Sequence, residues 1–527
     1  MGVRSSTLAA GQCRAEARKV GYGDWQTDSE FASRLCRKLR EWGLRPTVIL
    51  EPTCGIGNFA MAALEVFSDS VRAVYCIEIN GEYLAVAKSR LERMAYGGAS
   101  PGGVDVELFF FEEDVFSADL NKVSLRPDDC LLIVGNPPWV TSSKLGTIGS
   151  ANVPAKSNFR KLKGIDALTG SSNFDIAESV SRRMISSFVG ICDVRFAMLI
   201  KASVAKRLVE AQRGEGSCLK DMKHCPIDAS REFGVSVDAC LFYSKVSPGA
   251  GDGRAEVLGL SSGGGARSYG WVDGKFVADV EKYAQVSNVD GRSRLEWRSG
   301  LKHDCAKVME LRSEGTRLVN GLGEIVDVEG EYVFPLLKSS DIKAQETTRV
   351  RAFVIVPQRF VGEDTGRLRV VAPRLYGYLE AHAAFFERRG SSVYVGKPRF
   401  SIFGIGDYSF APYKVAVPGL GGGSLFSVVP PIDGKCVMLD DTCYMLPFED
   451  CGTAAAYAKI FNSGVVRGFL EAIIFKGKRG ISKSALMRVD LDVVIDKLSR
   501  EGEISPSERE RAKSALPSRL LPLATVS

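Results

Sequence analysis

Between Thr47 and Ile200 the chain alternates short, unbroken apolar runs with segments whose apolar residues recur every three or four positions. The runs "TVIL" (47 to 50), "AVYCI" (73 to 77), "VELFFF" (106 to 111), "LLIV" (131 to 134) and "RFAMLI" (195 to 200) predict buried strands. "NFAMAALEVF" (58 to 67) and "GEYLAVAKSRLERMA" (81 to 95) predict the helices between the first three. A further helix is expected in "FDIAESVSRRMISSF" (174 to 188), where Ile176, Val180, Met184 and Phe188 form a core stripe. Strands alternating with helices predict a parallel, doubly wound α/β sheet of Rossmann-like type. Later in the chain this alternation fades into aromatic, Gly- and Pro-punctuated sequence such as "SSVYVGKPRFSIFGIGDYSFAPYKVAVPGLGGGS" (391 to 424), which reads as a mixed, β-rich domain.

Residues 247 to 268 hold seven glycines in 22 positions and predict a flexible connection. The expected organisation is therefore a first domain over 15–246, the connection over 247–268, a second domain over 269–500 and a tail over 501–527. A length of 527 residues suits about two to four domains. The composition, 45% hydrophobic and 25% charged, is globular, and a formal net charge of +6 permits a polyanionic partner without demanding one. Thirteen cysteines without a C-x-x-C pair, and only three histidines (His224, His303 and His382), offer little to a tetrahedral zinc site, so no metal is expected. His224 beside Cys225 reads as ordinary structure. Unpaired cysteines, an amino terminus without an apolar signal core and the lack of any run of ~18 apolar residues predict a cytoplasmic protein with no membrane partner.

The strand ends carry the candidate chemistry. In "ILEPTCGIGNF" (49 to 59) a strand ends at Glu51, Gly55 and Gly57 allow a tight turn, and a helix opens with free N–H groups. The second and third strands lead to Glu78, about twenty residues past the glycines where an acid grips ribose hydroxyls, and to Asp114, suited to an adenine amine. An acid at the end of the first strand repels a pyrophosphate and suits a cationic ligand bearing an amino acid. The fourth strand runs into Asn136-Pro137-Pro138-Trp139: two prolines that stiffen the exit, an amide that can donate and accept, and a flat indole. A single acid after a strand is as readily a helix cap, but four polar strand ends in register point to a ligand site.

With "YGDWQTDSEFASRL" (22 to 35), "LEPTCGIGNF" (50 to 59), "CIEIN" (76 to 80) and "GNPPWV" (135 to 140) in this order, residues 20 to 245 resemble the adenine-N6 DNA methyltransferases that use S-adenosylmethionine, in the gamma order of motifs. The chain departs from the family pattern at Asp28, where proline is usual, and at Trp139, where tyrosine or phenylalanine is usual. The resemblance implies that S-adenosylmethionine is held by Gln26, Thr27, Glu51, Pro52, Gly55, Gly57, Glu78 and Asp114. It implies further that Asn136 and the Pro137 carbonyl accept from the amine of a flipped adenine, that Pro138 keeps the corner rigid and that Trp139 stacks on the base. Phe233, in "EFGVSVDACLFY" (232 to 243), matches the family residue that packs on the base's other side. Cytosine carbon-5 chemistry needs a Pro-Cys nucleophile, and the neighbouring pair here is Cys225-Pro226, in reversed order. Cytosine-N4 transfer, an RNA or protein glutamine substrate, and a non-catalytic nucleic-acid-binding module are the alternatives.

Five bases, Lys144, Lys156, Arg160, Lys161 and Lys163, stand against one acid, Asp166, between Thr141 and Asn173 and suit phosphate contacts. In the second half "ERRGSSVYVGKPRF" (387 to 400), with Arg388, Arg389, Lys397 and Arg399, and "FKGKRGISKSALMR" (475 to 488), with Lys476, Lys478 and Arg479, resemble that family's target-recognition domain. Double-stranded DNA is the expected partner. No nuclease-like cluster of acids and lysine is evident, so any restriction nuclease or other defence-system protein would be a separate polypeptide.

Overall fold

The computed structural model describes residues 26–96, 105–140, 175–214, 216–260, 267–420, 425–475 and 480–517. Two compact units divide the chain, Met1–Phe276 and Val277–Ser527. The first is built on strands β1 (Val48–Glu51), β2 (Ala73–Glu78), β3 (Glu107–Glu112), β4 (Cys130–Gly135) and β5 (Asp193–Lys201). These alternate with helices α1 (Ser29–Glu41), α2 (Asn58–Val66), α3 (Gly81–Tyr96) and α4 (Ile176–Phe188), and α5 (Ala202–Glu210) follows β5. Strands β6 (Leu219–Ile227) and β7 (Ala239–Val246), with α6 (Ala229–Phe233) between them, and the short β8 (Arg254–Val257), β9 (Arg267–Val272) and β10 (Lys275–Val277) complete it.

All ten strands join one sheet in the order β10-β9-β8-β6-β7-β5-β4-β1-β2-β3. Strands β1 to β5 are parallel, and β7 runs antiparallel between β5 and β6. In β1 the consecutive residues Val48, Ile49 and Leu50 are all buried, so both faces of the sheet are covered, and this explains why the strand reads as an unbroken apolar run. The stripe of Ile176, Val180, Met184 and Phe188 on α4 is buried as expected. Because β1 lies between β2 and β4, the order of connection reverses there, which makes the carboxyl ends of β1 and β4 the switch point at which open α/β sheets bind ligands.

At the opposite end the sheet is tied by one carboxylate. Asp129, just before β4, receives the Arg72 guanidinium from the start of β2, the Thr47 hydroxyl from before β1 (2.7 Å) and the Arg126 N–H (2.6 Å). Burial alone would raise the acid's pKa, but these donors outweigh it and hold it at about 2.

Two boundaries differ from the sequence expectation. The glycine-rich stretch 247–268 is no free connection: its described residues include β8 and the start of β9, with Ala255 buried, and the division falls after Phe276. Its described glycines include turns and close approaches: a Cβ on Gly251 would sit 2.7 Å from the Leu219 carbonyl. Gly253 adopts φ +67°, and a Cβ on Gly270 would collide with the Gly253 carbonyl. Residues 269–276 accordingly belong to the first unit.

The second unit holds a four-stranded sheet, β11-β19-β16-β17, and a five-stranded one, β13-β12-β15-β14-β18. Their strands are β11 (Arg298–Ser299), β12 (Glu310–Glu314), β13 (Arg317–Asn320), β14 (Val333–Leu337), β15 (Ala352–Ile355), β16 (Tyr413–Pro418), β17 (Ser427–Val429), β18 (Met438–Leu439) and β19 (Cys443–Phe448). Within 391–420 only β16 is a strand, because Gly396 and Gly404, both at positive φ, and Pro398 interrupt pairing. Helices α7 (Cys451–Asn462), α8 (Gly464–Ile473), α9 (Leu491–Arg500) and α10 (Pro506–Ser514) pack in the same unit. The expected tail thus contains α10, which starts with a Ser505/Glu508 capping box and accepts the Tyr457 hydroxyl at Ala512 O (2.7 Å). Among the described residues no helix is long and apolar enough to cross a membrane.

Replacing Asp129 with Asn should lower stability at neutral pH by about 1–2 kcal/mol, since the tie between β1, β2 and β4 loses its charge. The folded-state pKa lies below the unfolded one, so the contribution is present above about pH 4 and vanishes as pH falls toward about 2. Urea unfolding of both proteins across pH 2.5 to 7 should show the difference shrink with acid.

Candidate active site

The loop from β1 to α2 is shaped by what glycine permits. Gly55 (φ +52°) and Gly57 (φ +80°) are left-handed, and a Cβ on Gly55 would sit 2.6 Å from Gln26 Oε1. A Cβ on Gly57 would lie 3.0 Å from Ala87 Cβ, so this glycine also lets the loop settle against α3. As the residue preceding α2, Gly57 has no side chain with which to cap it. Glu51 does so from the end of β1: its Oε2 accepts from Ala60 N at 2.8 Å. The side chain is 2% exposed, and burial pushes its pKa well above the carboxylate range against the pull of the Ala60 and Phe59 amides. Pro52 follows it, buried.

The other strand-end acids grip backbone as well. Glu78 accepts from Gly55 N (2.8 Å) and Asn80 N (2.9 Å), which joins the end of β2 to the glycine loop, and Asp114 accepts from Phe116 N (2.9 Å). Arg90 from α3 donates to Ile56 O (2.7 Å) and Asn58 Oδ1 (2.8 Å). Sequence reasoning missed Arg90 and Asn58. In sequence the first is one of several bases on an amphipathic helix, and the second reads as a helix-start residue.

Two further segments converge on this loop. Gln26 Oε1 accepts from Ile56 N at 3.4 Å, and Thr27 O accepts from Asn58 Nδ2 at 2.6 Å. The hydroxyl of Thr27 accepts in turn from Asn136 Nδ2 at 3.2 Å. One buried threonine therefore links the glycine loop to the corner after β4. Asp28 explains its own departure from the family pattern: it caps α1 by accepting from Glu30 N and Phe31 N.

In the corner itself Pro137 and Trp139 are buried and Asn136 and Pro138 partly so. Trp139 donates Nε1–H to Leu199 O at 3.1 Å and meets Phe233 edge to face, with centroids 5.2 Å apart. Phe31 adds a third ring 6.0 Å from Phe233. A base sandwiched between two rings would hold them roughly 7 Å apart, twice a ~3.5 Å contact distance. The two rings that the resemblance sets on opposite faces of a base are here in contact with each other.

The expected DNA-binding residues fare unequally. Lys144, Lys156, Arg160, Lys161, Lys163, Lys476, Lys478 and Arg479 lie outside the described residues. Arg388 and Lys397 are exposed. Arg389 instead donates to Phe386 O, Ser401 O and Arg399 O and lies 3.7 Å over the Tyr394 ring. Arg399 pairs with Glu380 and Glu387, each at 2.6 Å. These local partners give both arginines structural work. His224 meets the Tyr269 hydroxyl at 3.1 Å, and burial lowers its pKa to about 4. Among the described residues no group of three or more His, Cys, Asp or Glu could hold a metal.

A doubly wound sheet with a glycine loop and polar strand ends gathered at its switch point defines a Rossmann-like α/β domain. Over 488 residues the chain is 36% identical to the type II methyltransferase M.NspV of Nostoc sp., covering 91% of this chain and 98% of that one. The chain belongs to the type II methyltransferase family. No family model matches it. Among solved structures, the type IIL restriction-modification enzyme MmeI in complex with DNA aligns over 98% of this chain and 75% of its own (TM-score 0.48, 12% identity). A modification subunit of a putative type I restriction enzyme from Vibrio vulnificus aligns over 55% and 61% (TM-score 0.29, 13% identity).

Replacing Glu51 with Ala should destabilise the first unit by about 1–2 kcal/mol, because α2 loses its substitute cap. Replacement with Gln, which keeps an acceptor, should cost less. Chemical unfolding of the three proteins gives the order.

Proposed function

We propose that this type II methyltransferase acts on duplex DNA and transfers a methyl group from S-adenosylmethionine to the N6 amine of a flipped-out adenine. The observation that carries the reading is the Thr27 link, which sets Asn136 of the Asn-Pro-Pro-Trp corner beside the glycine loop. The loop suits the cofactor: Gly55 lets the Gln26 side-chain amide come close where a Cβ would collide with it, and Glu78 and Asp114 place carboxylates at neighbouring strand ends. Gln26, Thr27, Glu51, Pro52, Gly55, Gly57, Glu78 and Asp114 would hold it, with Glu51 acting through the α2 terminus it caps. The bound cofactor supplies an electrophilic methyl group on a sulfonium.

The chain's own part is to orient the amine. The Asn136 side-chain oxygen and the Pro137 carbonyl accept its two hydrogens and turn the nitrogen lone pair toward the methyl group. Pro138 restricts the backbone behind them. Trp139 stacks on the base, a contact worth about 1–3 kcal/mol, after Phe233 moves off it. Arg388, Lys397 and the bases at 144, 156, 160, 476, 478 and 479 are proposed phosphate contacts, with Arg389 and Arg399 shaping the surface near the first two. A restriction nuclease or another defence-system protein, as a separate polypeptide, is the proposed partner.

The test is to incubate the protein with duplex DNA and S-adenosylmethionine, digest the DNA and identify the modified nucleoside by mass spectrometry. N6-methyladenine is expected. N4-methylcytosine would move the reading to the other exocyclic amine, and label found in RNA or protein alone would overturn it. Replacing Asn136 with Ala should reduce turnover roughly 10²- to 10³-fold while S-adenosylhomocysteine binds within about twofold of wild type, since one acceptor is lost and the cofactor loop is spared. Calorimetry and single-turnover assays check the two halves.

A further inference from the structure

Pro137 and Pro138 have no N–H, so they donate nothing to a backbone ladder at the end of β4. The corner is gripped in other ways: Asn136 Nδ2 donates to Thr27, Trp139 Nε1 to Leu199 O, and Val140 O accepts from Ile176 N at 3.0 Å. The last contact depends on where α4 begins. Asp175 sets that point with both carboxylate oxygens. Its Oδ1 accepts from Ala177 N (3.1 Å) and caps α4, while its Oδ2 receives Lys201 Nζ at 2.6 Å. Asp175 is 4% exposed, and Lys201 is the last residue of β5, two beyond the Leu199 carbonyl that holds the indole.

Capping does not require this ion pair. An asparagine caps a helix as well as an aspartate, and bringing two charges out of water carries a desolvation cost that a neutral pair avoids. What the pair adds is position: it fixes Ile176, and through it Val140, relative to the strand that already anchors Trp139. We infer that Lys201 and Asp175 are a positioning pair for methyl transfer, holding the far side of the Asn-Pro-Pro-Trp corner in register with β5. This rests on the proposed reading of the corner as catalytic.

The experiment compares Asp175→Asn, Lys201→Met and Lys201→Arg with wild type in the full chain. Asp175→Asn keeps the cap and removes the charge; Lys201→Arg keeps the charge. Turnover on duplex DNA should fall about tenfold or more for Asp175→Asn and Lys201→Met, because misalignment by a fraction of an ångström is costly in a direct transfer. Affinity for S-adenosylhomocysteine and KM for DNA should stay within about twofold, and Lys201→Arg should recover most of the rate. The Trp139 indole N–H resonance, assigned with Trp139→Phe, should shift in the two impaired variants. Unchanged turnover with an unmoved resonance would overturn the inference. So would a loss of S-adenosylhomocysteine affinity parallel to the loss of rate, which marks general loosening. If wild type methylates no DNA, the functional reading falls, and the indole resonance alone still decides the positioning role.

Discussion

Parallel pairing of β1 with both β2 and β4 is the constraint on which the site depends. Three strands in register must end at one edge, so the glycine loop, Glu78 and the Asn-Pro-Pro-Trp corner are brought together by the hydrogen-bond ladder before any side chain acts. The same register gathers Thr47, Arg72 and Asp129 at the other end, where they close the ladder with charge. One end of the sheet uses its polar groups for stability. The other uses them to hold loops open in a fixed shape.

That fixed shape is made by a division of labour among acids. Glu51 completes a helix that begins with glycine, and Glu78 orients the loop through Gly55 N. An α2 start without a side-chain cap leaves backbone N–H groups that need an acceptor, and the one supplied is buried and anchored to the central strand. Arg90 and Asn58 brace the loop from α3 and α2.

The parallel core was legible because central strands such as β1 and β4 are covered on both faces and therefore spell continuous apolar runs, and because the strand ends fall where helices begin; the run at 106–111 reads the same way, yet β3 lies at the sheet edge and is only partly buried. The boundary after the core was not legible. Glycines in 247–268 read as looseness, yet a glycine can equally let the chain pass close to a strand, as Gly251 does beside the Leu219 carbonyl. Of the residues that the motifs nominate, the structure brings Thr27 and Asn136 into one hydrogen bond. The sequence gave no sign of the contacts of Arg90, Asp175 and Lys201, whose partners lie 26 to 34 positions away. Arg389 and Arg399 show the reverse case: basic and aromatic neighbours suggested a polyanion surface, while acids and carbonyls from other turns had already claimed the guanidinium groups.

On the proposed reading, the contact between Trp139 and Phe233 sets how readily the base slot is occupied. An enzyme that fills its own base slot with a phenyl ring binds a base only to the extent that the new contacts exceed the ring pair they replace. On the proposed reading, apparent affinity for any base is lowered by the same factor, the fraction of molecules with the slot open. A weakly stacking or poorly hydrogen-bonded base then spends most of its time excluded, and water meets a hydrophobic plug instead of the reactive edge. The closed pair would lower occupancy by every base alike, and the ratio between bases would stay with the amine and ring contacts that each one makes.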